Sequence, residues 1–534
     1  MQKGERKISY WSNAQAIGKQ LKEVGKQSLR AIGKQLGLSK SSVHRHKQAQ
    51  ERRDQYPESC LWETAVGMSW LIRLVIATIF FFGIKRGVGA ESLSEYFQYI
   101  RITTHVGLSP SSVRKLQGQV ESVIVKFGEE QVKSAISSRE EPLEVVGGVD
   151  ETFFEQMVLV MMDIPSGYIL LESYADERTS ATWYEKIQQS LGELSIKVHY
   201  LVSDRAKGLI KLALSYFECP SIADLFHLLN DISKGFSLVT QTHLRQAGEA
   251  LQKAQEQLAK IPTSQTQLWK NQQKQVVQAQ QLVQKWATVQ QTYQALLNQF
   301  SLTVHPFCVE IGCPQSTADL ICQLQTIVSL LEQLAQTHHF TKALDRLKTV
   351  KNHMGSLATL IDVWWDWVDL SVADISSDTT RQQWLKTILL PKLYWEYQLN
   401  HCRSPLQLPF YQAAYHNALN SWQHHPLTHT CNPDEAIRFD KWANSMITRF
   451  QRASSAVEGR NGYLSQIHQA RRGLTPRQLQ VLTVLHNFQL VRNDGSTPAQ
   501  RFFQQPFPDL FEAVLAQFDS LPLPRRSKLV PLSP

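Results

Sequence analysis

Val145-Val146-Gly147-Gly148-Val149-Asp150 and Lys197-Val198-His199-Tyr200-Leu201-Val202-Ser203-Asp204 are two apolar runs that each close on a carboxylate. Their short length and β-branched content read as strands. Ligands of open sheets gather at the carboxyl ends of strands. A third acid, Glu458, stands far downstream in Ala453-Ser454-Ser455-Ala456-Val457-Glu458-Gly459-Arg460-Asn461-Gly462. Three acids converging on one point repel each other unless cations sit between them. Hard divalent cations take carboxylate oxygens, and a pair of them clamps the attacking and leaving oxygens of a phosphodiester. The pattern points to metal-dependent phosphoryl transfer on nucleic acid. A strand-terminal Asp is common, so Asp150 alone carries little. Asp204, followed by Gly208-Leu209 at a helix start, carries more.

Around these acids the pattern alternates. Strands are expected at 145–150, 157–163 and 168–174, with a turn at Ile164-Pro165-Ser166-Gly167. A helix at 179–192, the strand ending at Asp204, a helix at 206–217 and a short strand at 222–226 complete the run. Glu151 and Glu155 lie next to Asp150, but in a strand Glu151 points to the opposite face. From 235 to 440 strand signals nearly vanish. Residues 243–300, rich in Gln, Leu, Ala and Lys, have the apolar spacing of a long helical hairpin or coiled coil. Further helices are expected at 316–336, 340–370, 381–399 and 410–422. Trp364, Trp365 and Trp367 suit core packing, or a wedge that stacks on bases. Helices resume through 442–452 and 475–492, and the Pro-rich tail after 503 is expected to be poorly ordered.

Net charge is +9, and its placement matters more than its size. Residues 1–54 hold eight Lys and five Arg against four acids, which is the whole excess. A second basic zone, 442–493, holds seven Arg and one acid, Glu458 itself. Such zones suit a polyanion. Within the first, Leu29-Arg30-Ala31-Ile32-Gly33-Lys34-Gln35-Leu36-Gly37-Leu38-Ser39-Lys40-Ser41-Ser42-Val43-His44-Arg45 resembles a helix-turn-helix. Its second helix would offer Lys40, Ser41, Ser42, His44 and Arg45 to a major groove. The alternative is a plain helical pair. Gly107-Leu108-Ser109-Pro110-Ser111-Ser112-Val113-Arg114-Lys115 is a similar string, readable as a second helix-turn-helix or a structural pair.

The seven cysteines are odd in number and include no CxxC, which fits a reducing cytosol. The apolar run Trp70 to Ile84 carries Arg73 and is shorter than the ~20 residues of a spanning helix. A buried core helix is the expectation, and no membrane partner. His305, Cys308 and Cys313, or His424, His425, His429 and Cys431, lack paired zinc-site spacing and read as core or surface residues.

Taken in order, Asp150, Asp204, Asp224-Leu225-Phe226-His227 and Glu458 resemble the DDE transposases of bacterial insertion sequences. Leu485-His486-Asn487-Phe488 and Arg492 to Ala499 look like the end of their catalytic domain. The resemblance covers roughly 145–500. It implies a mostly helical α+β multidomain chain: a helix-turn-helix region at 1–55, a helical domain at 56–140 and an RNase H-like α/β core at 141–234. A long all-α insertion at 235–440, the rest of the core with Glu458 at 441–503 and a tail at 504–534 follow. It implies Asp150, Asp204 and Glu458 as ligands of two Mg²⁺ ions (or Mn²⁺), with His227 as a catalytic neighbour supported by Asp224. It also implies Arg460, Arg471 and Arg472 on DNA phosphates, a homo-oligomer on DNA, and a cytoplasmic, nucleoid-associated place. Between Asp204 and Glu458 lie 253 residues, a gap that the insertion would explain. One subgroup's Tyr/Arg/Lys pattern around the last Glu is absent, with Ser454 four residues before it and Leu464 or Ser465 after. Glu435 and Asp440 are fallback third acids. The competing reading is a non-catalytic sequence-specific DNA-binding protein, a regulator or a decayed transposase. A coiled-coil scaffold would account for 243–300 alone.

Overall fold

The structure, a computed structural model, describes residues 16–21, 27–53, 62, 65–137, 139–262, 264–471 and 473–522. Over these residues it is an α+β molecule, mostly helical, with one small mixed sheet. Helix α1 spans 16–21. Ser28 caps α2 (Leu29–Gln35) by accepting from the Ala31 N–H. The chain turns at Gly37, whose φ is +65°, and Ser39 opens α3 (Lys40–Arg53). Ile17, Ile32 and Val43 form a small separate core under these helices. Lys40, Ser41, His44 and Arg45 are exposed and Ser42 half-buried, so the outward face of α3 is free of the core.

The apolar run is longer than expected. Helix α4 (Ala65–Thr78) continues as a π-helical segment, Ile79–Lys85. Val66–Lys85 is by length and composition apolar enough to cross a membrane. Leu71, Val75, Ile76 and Ile79 nevertheless face a protein core, and Arg73 makes a two-pronged ion pair with Glu512 at 2.8 Å. Helices α5 (Ala90–Tyr99) and α6 (Pro110–Ser137) pack against this segment.

The sheet has the order β3-β2-β1-β4-β5. Strands β1 (Leu143–Phe153), β2 (Met157–Asp163) and β3 (Tyr168–Ala175) form an antiparallel meander. Helix α7 (Ser180–Leu191) leads to β4 (Ile196–Ser203), which pairs parallel to β1. Helix α8 (Lys207–Lys211) runs into a π turn and then β5 (Ser221–Ala223), parallel to β4. Every residue of β2 is buried. A strand that is apolar on both faces needs cover on both faces. Val145 and Val149 join one hydrophobic core, while Val146, Tyr200 and Ile222 join another. Two boundaries differ from expectation. β1 runs three residues past Asp150 because Glu151 to Phe153 still pair with β2. β5 stops at Ala223 because Asp224 caps the next helix.

The second core is helical: α9 (Leu225–Lys260), α10 (Thr266–Thr303), α11 (Thr317–Thr337), α12 (Thr341–Ile375), α13 (Thr379–Trp384), α14 (Leu390–His401), α15 (Leu408–His424) and α16 (Pro433–Arg449). Trp364 and Trp367 are buried there, and the Trp364 indole N–H donates to the Met446 carbonyl, so they are core residues. The chain then returns to the first core through α17 (Ser455–Arg471), α18 (Pro476–Gln489), α19 (Pro498–Phe503) and α20 (Leu510–Leu515). The tail is therefore ordered further than its proline content suggests, because Leu510 and Val514 are buried. Buried residues of 65–137 share this core with the sheet.

Candidate active site

Asp150 lies in the central strand, and Asp204 leaves the end of its parallel neighbour β4. Asp204 Oδ1 accepts from the Ala206 N–H at 2.9 Å, and Arg205 between them holds a left-handed φ of 63°. A non-glycine residue in that region costs of order 1 kcal/mol and tends to cluster at functional sites.

Glu458 sits in the first turn of α17. Two features bring that turn onto the sheet. At Gly148 an added Cβ would lie 3.0 Å from Val457 Cγ2 and 2.9 Å from Ile164 Cγ1, so glycine lets the helix approach β1. Asp224 supplies the second. Its carboxylate accepts from the Ser454 N–H at 3.1 Å and from the Ser454 hydroxyl, joining the end of β5 to the start of α17. It also bonds His227 Nδ1 at 3.1 Å, while His227 Nε2 lies 3.4 Å from Glu458 Oε1. His227 thus bridges the two acidic groups, with Asp224 fully buried and Glu458 partly exposed.

The electrostatics report the same convergence. Burial pushes the Asp150 carboxyl up to about 7, aided by the negative charge of Glu458 and, more weakly, of Asp204. The His227 imidazole is pushed up to about 9 by its hydrogen bond to Asp224, with the charges of Asp224, Glu458 and Asp150 adding to the rise. Burial alone would raise Asp224, yet the hydrogen bonds from His227 and Ser454 hold it below the ordinary carboxylate range. At neutral pH His227 is a cation among acids. A cavity of about 160 Å³ opens beside Asp204, lined by His227, Asp231, Thr349 and His353. A larger one, about 810 Å³, lies away from the acids near Asp163, Arg449 and Arg501.

Two residues were missed in the sequence. Asn461 Nδ2 donates to Asp150 Oδ2 at 2.8 Å, while its buried Oδ1 has no partner. Its signal was the three-residue spacing from Glu458, which puts both on one helix face. Ser454 registered only as a departure from a family pattern. Glu151 points away from Asp150, within 3.5 Å of both Arg178 and the Trp183 indole N–H, as strand alternation requires.

Other expectations are corrected. Arg460 is not available to a phosphate: it is 5% exposed and makes a two-pronged ion pair with buried Glu172 at 2.7 and 2.6 Å. Arg471 is also engaged, its Nη2 donating to the Gly83 and Ile84 carbonyls. Both arginines face inward on α17, where the core supplies their acceptors. Arg472 lies outside the described residues. The fallback acid Glu435 serves a capping box and an ion pair with Arg381. His305 is buried between the hydroxyls of Tyr394 and Tyr411.

The donor set fits Mg²⁺ by chemistry, being carboxylate oxygens whose mutual repulsion a hard cation relieves. Asn461 Oδ1 adds a buried oxygen that lacks a partner. Among the described residues no three such side chains already stand at metal-holding spacing.

Residues 385–530 match a family of unknown function, DUF6399. The matched span includes the Glu458 helix but neither aspartate. A comparison with curated proteins gives no match.

Proposed function

We propose that the protein is a DDE-type transposase that cleaves DNA strands at insertion-sequence ends and joins them to target DNA. One observation carries the reading: of three acids dispersed over 309 positions, Glu458 lies 3.4 Å from His227, Asn461 of the same helix bonds Asp150, and Asp204 lines one cavity with His227. The strand order supports an RNase H-like core into which helices α9 to α16 are inserted. The exposed face of α3 supports DNA recognition.

Asp150, Asp204 and Glu458 would hold two Mg²⁺ ions, whose chemistry is to activate a nucleophilic oxygen and stabilise charge on the scissile phosphate. Protonated His227 fixes one Glu458 oxygen, while Asp224 keeps the imidazole charged and in place. Asn461 fixes one Asp150 oxygen.

The experiment is strand cleavage of the terminal repeats that flank the coding sequence. It compares wild type with Asp150→Ala, Asp204→Ala and Glu458→Ala in Mg²⁺. Each variant is expected to retain DNA binding and lose cleavage. Cleavage undiminished in all three rejects the reading, and binding without cleavage by the wild type leaves a non-catalytic DNA-binding protein.

A further inference from the structure

Helix α6 begins as α3 does. Gly37-Leu38-Ser39-Lys40-Ser41-Ser42-Val43-His44-Arg45 and Gly107-Leu108-Ser109-Pro110-Ser111-Ser112-Val113-Arg114-Lys115 differ at only three positions. Their local structures coincide as well. Ser39 Oγ lies 3.0 Å from both Ser41 Oγ and Ser42 Oγ and accepts from the Ser42 N–H at 3.1 Å. Ser109 Oγ lies 3.1 Å from both Ser111 Oγ and Ser112 Oγ and accepts from the Ser112 N–H at 3.4 Å. Val43 and Val113 are both fully buried. Ser41, His44 and Arg45 are exposed in one, and Ser111, Arg114 and Lys115 at the matching positions of the other.

We infer that the first turns of α6 are a second DNA-docking element, presenting Ser111, Arg114 and Lys115 to duplex DNA. The inference rests on the transposase reading and adds a second contact region to it. Charge favours this partner. Arg114 pairs with Glu91, but both side chains are more than half exposed, so the pair is screened and open to competition by phosphate. The Gly107 N–H donates to the Pro522 carbonyl at 2.7 Å. The element is also fixed relative to Glu458. Arg477 bonds Ser122, Phe127 packs edge-on against Phe488, and Tyr463 of the Glu458 helix bonds the Lys85 carbonyl. DNA held on α6 would therefore keep a set geometry to the acids, whereas α3 stands on its own small core.

The test uses the full chain and duplexes selected by it from a random library. Hydroxyl-radical footprints and the salt dependence of affinity are compared for wild type, Lys40→Ala/Arg45→Ala and Arg114→Ala/Lys115→Ala. Two protected patches are expected on the wild-type complex, one lost in each double variant. Loss of two phosphate contacts should flatten the slope of log affinity against log salt by about 1.8. Unchanged melting temperatures show that the exposed substitutions leave the fold intact. Both patches and the slope surviving in Arg114→Ala/Lys115→Ala overturn this inference alone. No duplex binding by the wild-type chain overturns the parent reading with it.

Discussion

Histidine 486 shows how a single buried base couples this fold to pH. Its Nε2–H donates to the Gly167 carbonyl at 2.9 Å, tying α18 to the β2–β3 turn. Burial, helped by the nearby Arg460 charge, lowers its imidazole to about 4 from an ordinary 6.5. The unfolded chain therefore takes up this proton first as pH falls. The stability tied to neutral His486 is complete above pH 6.5 and drains away as pH drops toward 4, by at most about 1.4 kcal/mol per unit. His486→Gln keeps a donor and removes the titration. Chemical unfolding at pH 6.5 and 5.0 should show wild type losing about 2 kcal/mol more than the variant. Equal losses would mean that the ring charges freely in the fold. The same neighbourhood explains the misreading of Arg460. A basic zone around an acid suggested phosphate contacts. Charge counts carry no direction, however, and the acceptor, Glu172, lies 288 positions upstream in β3. That Asp204 follows a strand end and Glu458 opens a helix was legible locally, whereas Asp150, read as a strand end, lies within β1. Asn461 was not legible, because an amide carries no charge to count.

Elements were read well where one period ran unbroken. β2, β3, α7 and β4 fell within a residue or two of expectation, and so did α11. Errors came where tertiary contacts outweighed local pattern, as where β2 carried β1 past Asp150. The pair Gly147-Gly148 is the most informative case, since glycine in a strand interior marks a close approach. At Gly147 a Cβ would come within 2.3 Å of Leu201 Cδ2, and at Gly148 it would press on Val457, the residue before Glu458. Gly148→Ala is expected to cost about 1–3 kcal/mol by overpacking and to lift α17 from β1. On the proposed reading, DNA cleavage should fall with it even at temperatures where the variant stays folded. Gly355→Ala is the control, a helical glycine with open space around its missing Cβ. It should stabilise by roughly 0.5–1 kcal/mol and leave cleavage alone. Full cleavage by a folded Gly148→Ala chain would show that helix position does not set the site.

Besides the small core under α1 to α3, the described residues form two larger cores that share one sheet. The first unites α4 to α6 with α17 to α20, and the second holds the helices between β5 and α17. Those helices share their core with Ile222, Tyr200 and Val202 of the sheet. Among the described residues, the far end of the α9–α10 hairpin stands apart from both larger cores. His243 stacks on Trp286 with ring centroids 4.2 Å apart, and beyond that pair the two arms bury Ala247, Ala254, Gln272 and Val276 only against each other. None of these four belongs to a larger core. Contacts confined to two arms stabilise those arms alone, so their loss should not propagate. Replacing residues 248–281 with a short Gly/Ser linker should leave the main melting transition in place, because antiparallel helix axes lie only about 8–10 Å apart. Phe236→Ala or Phe300→Ala, each fully buried where the hairpin meets the second core, should instead cost about 3–5 kcal/mol. If the shortened chain melted as early as those variants, the arms would be part of the cooperative unit and the hairpin's autonomy would be refuted.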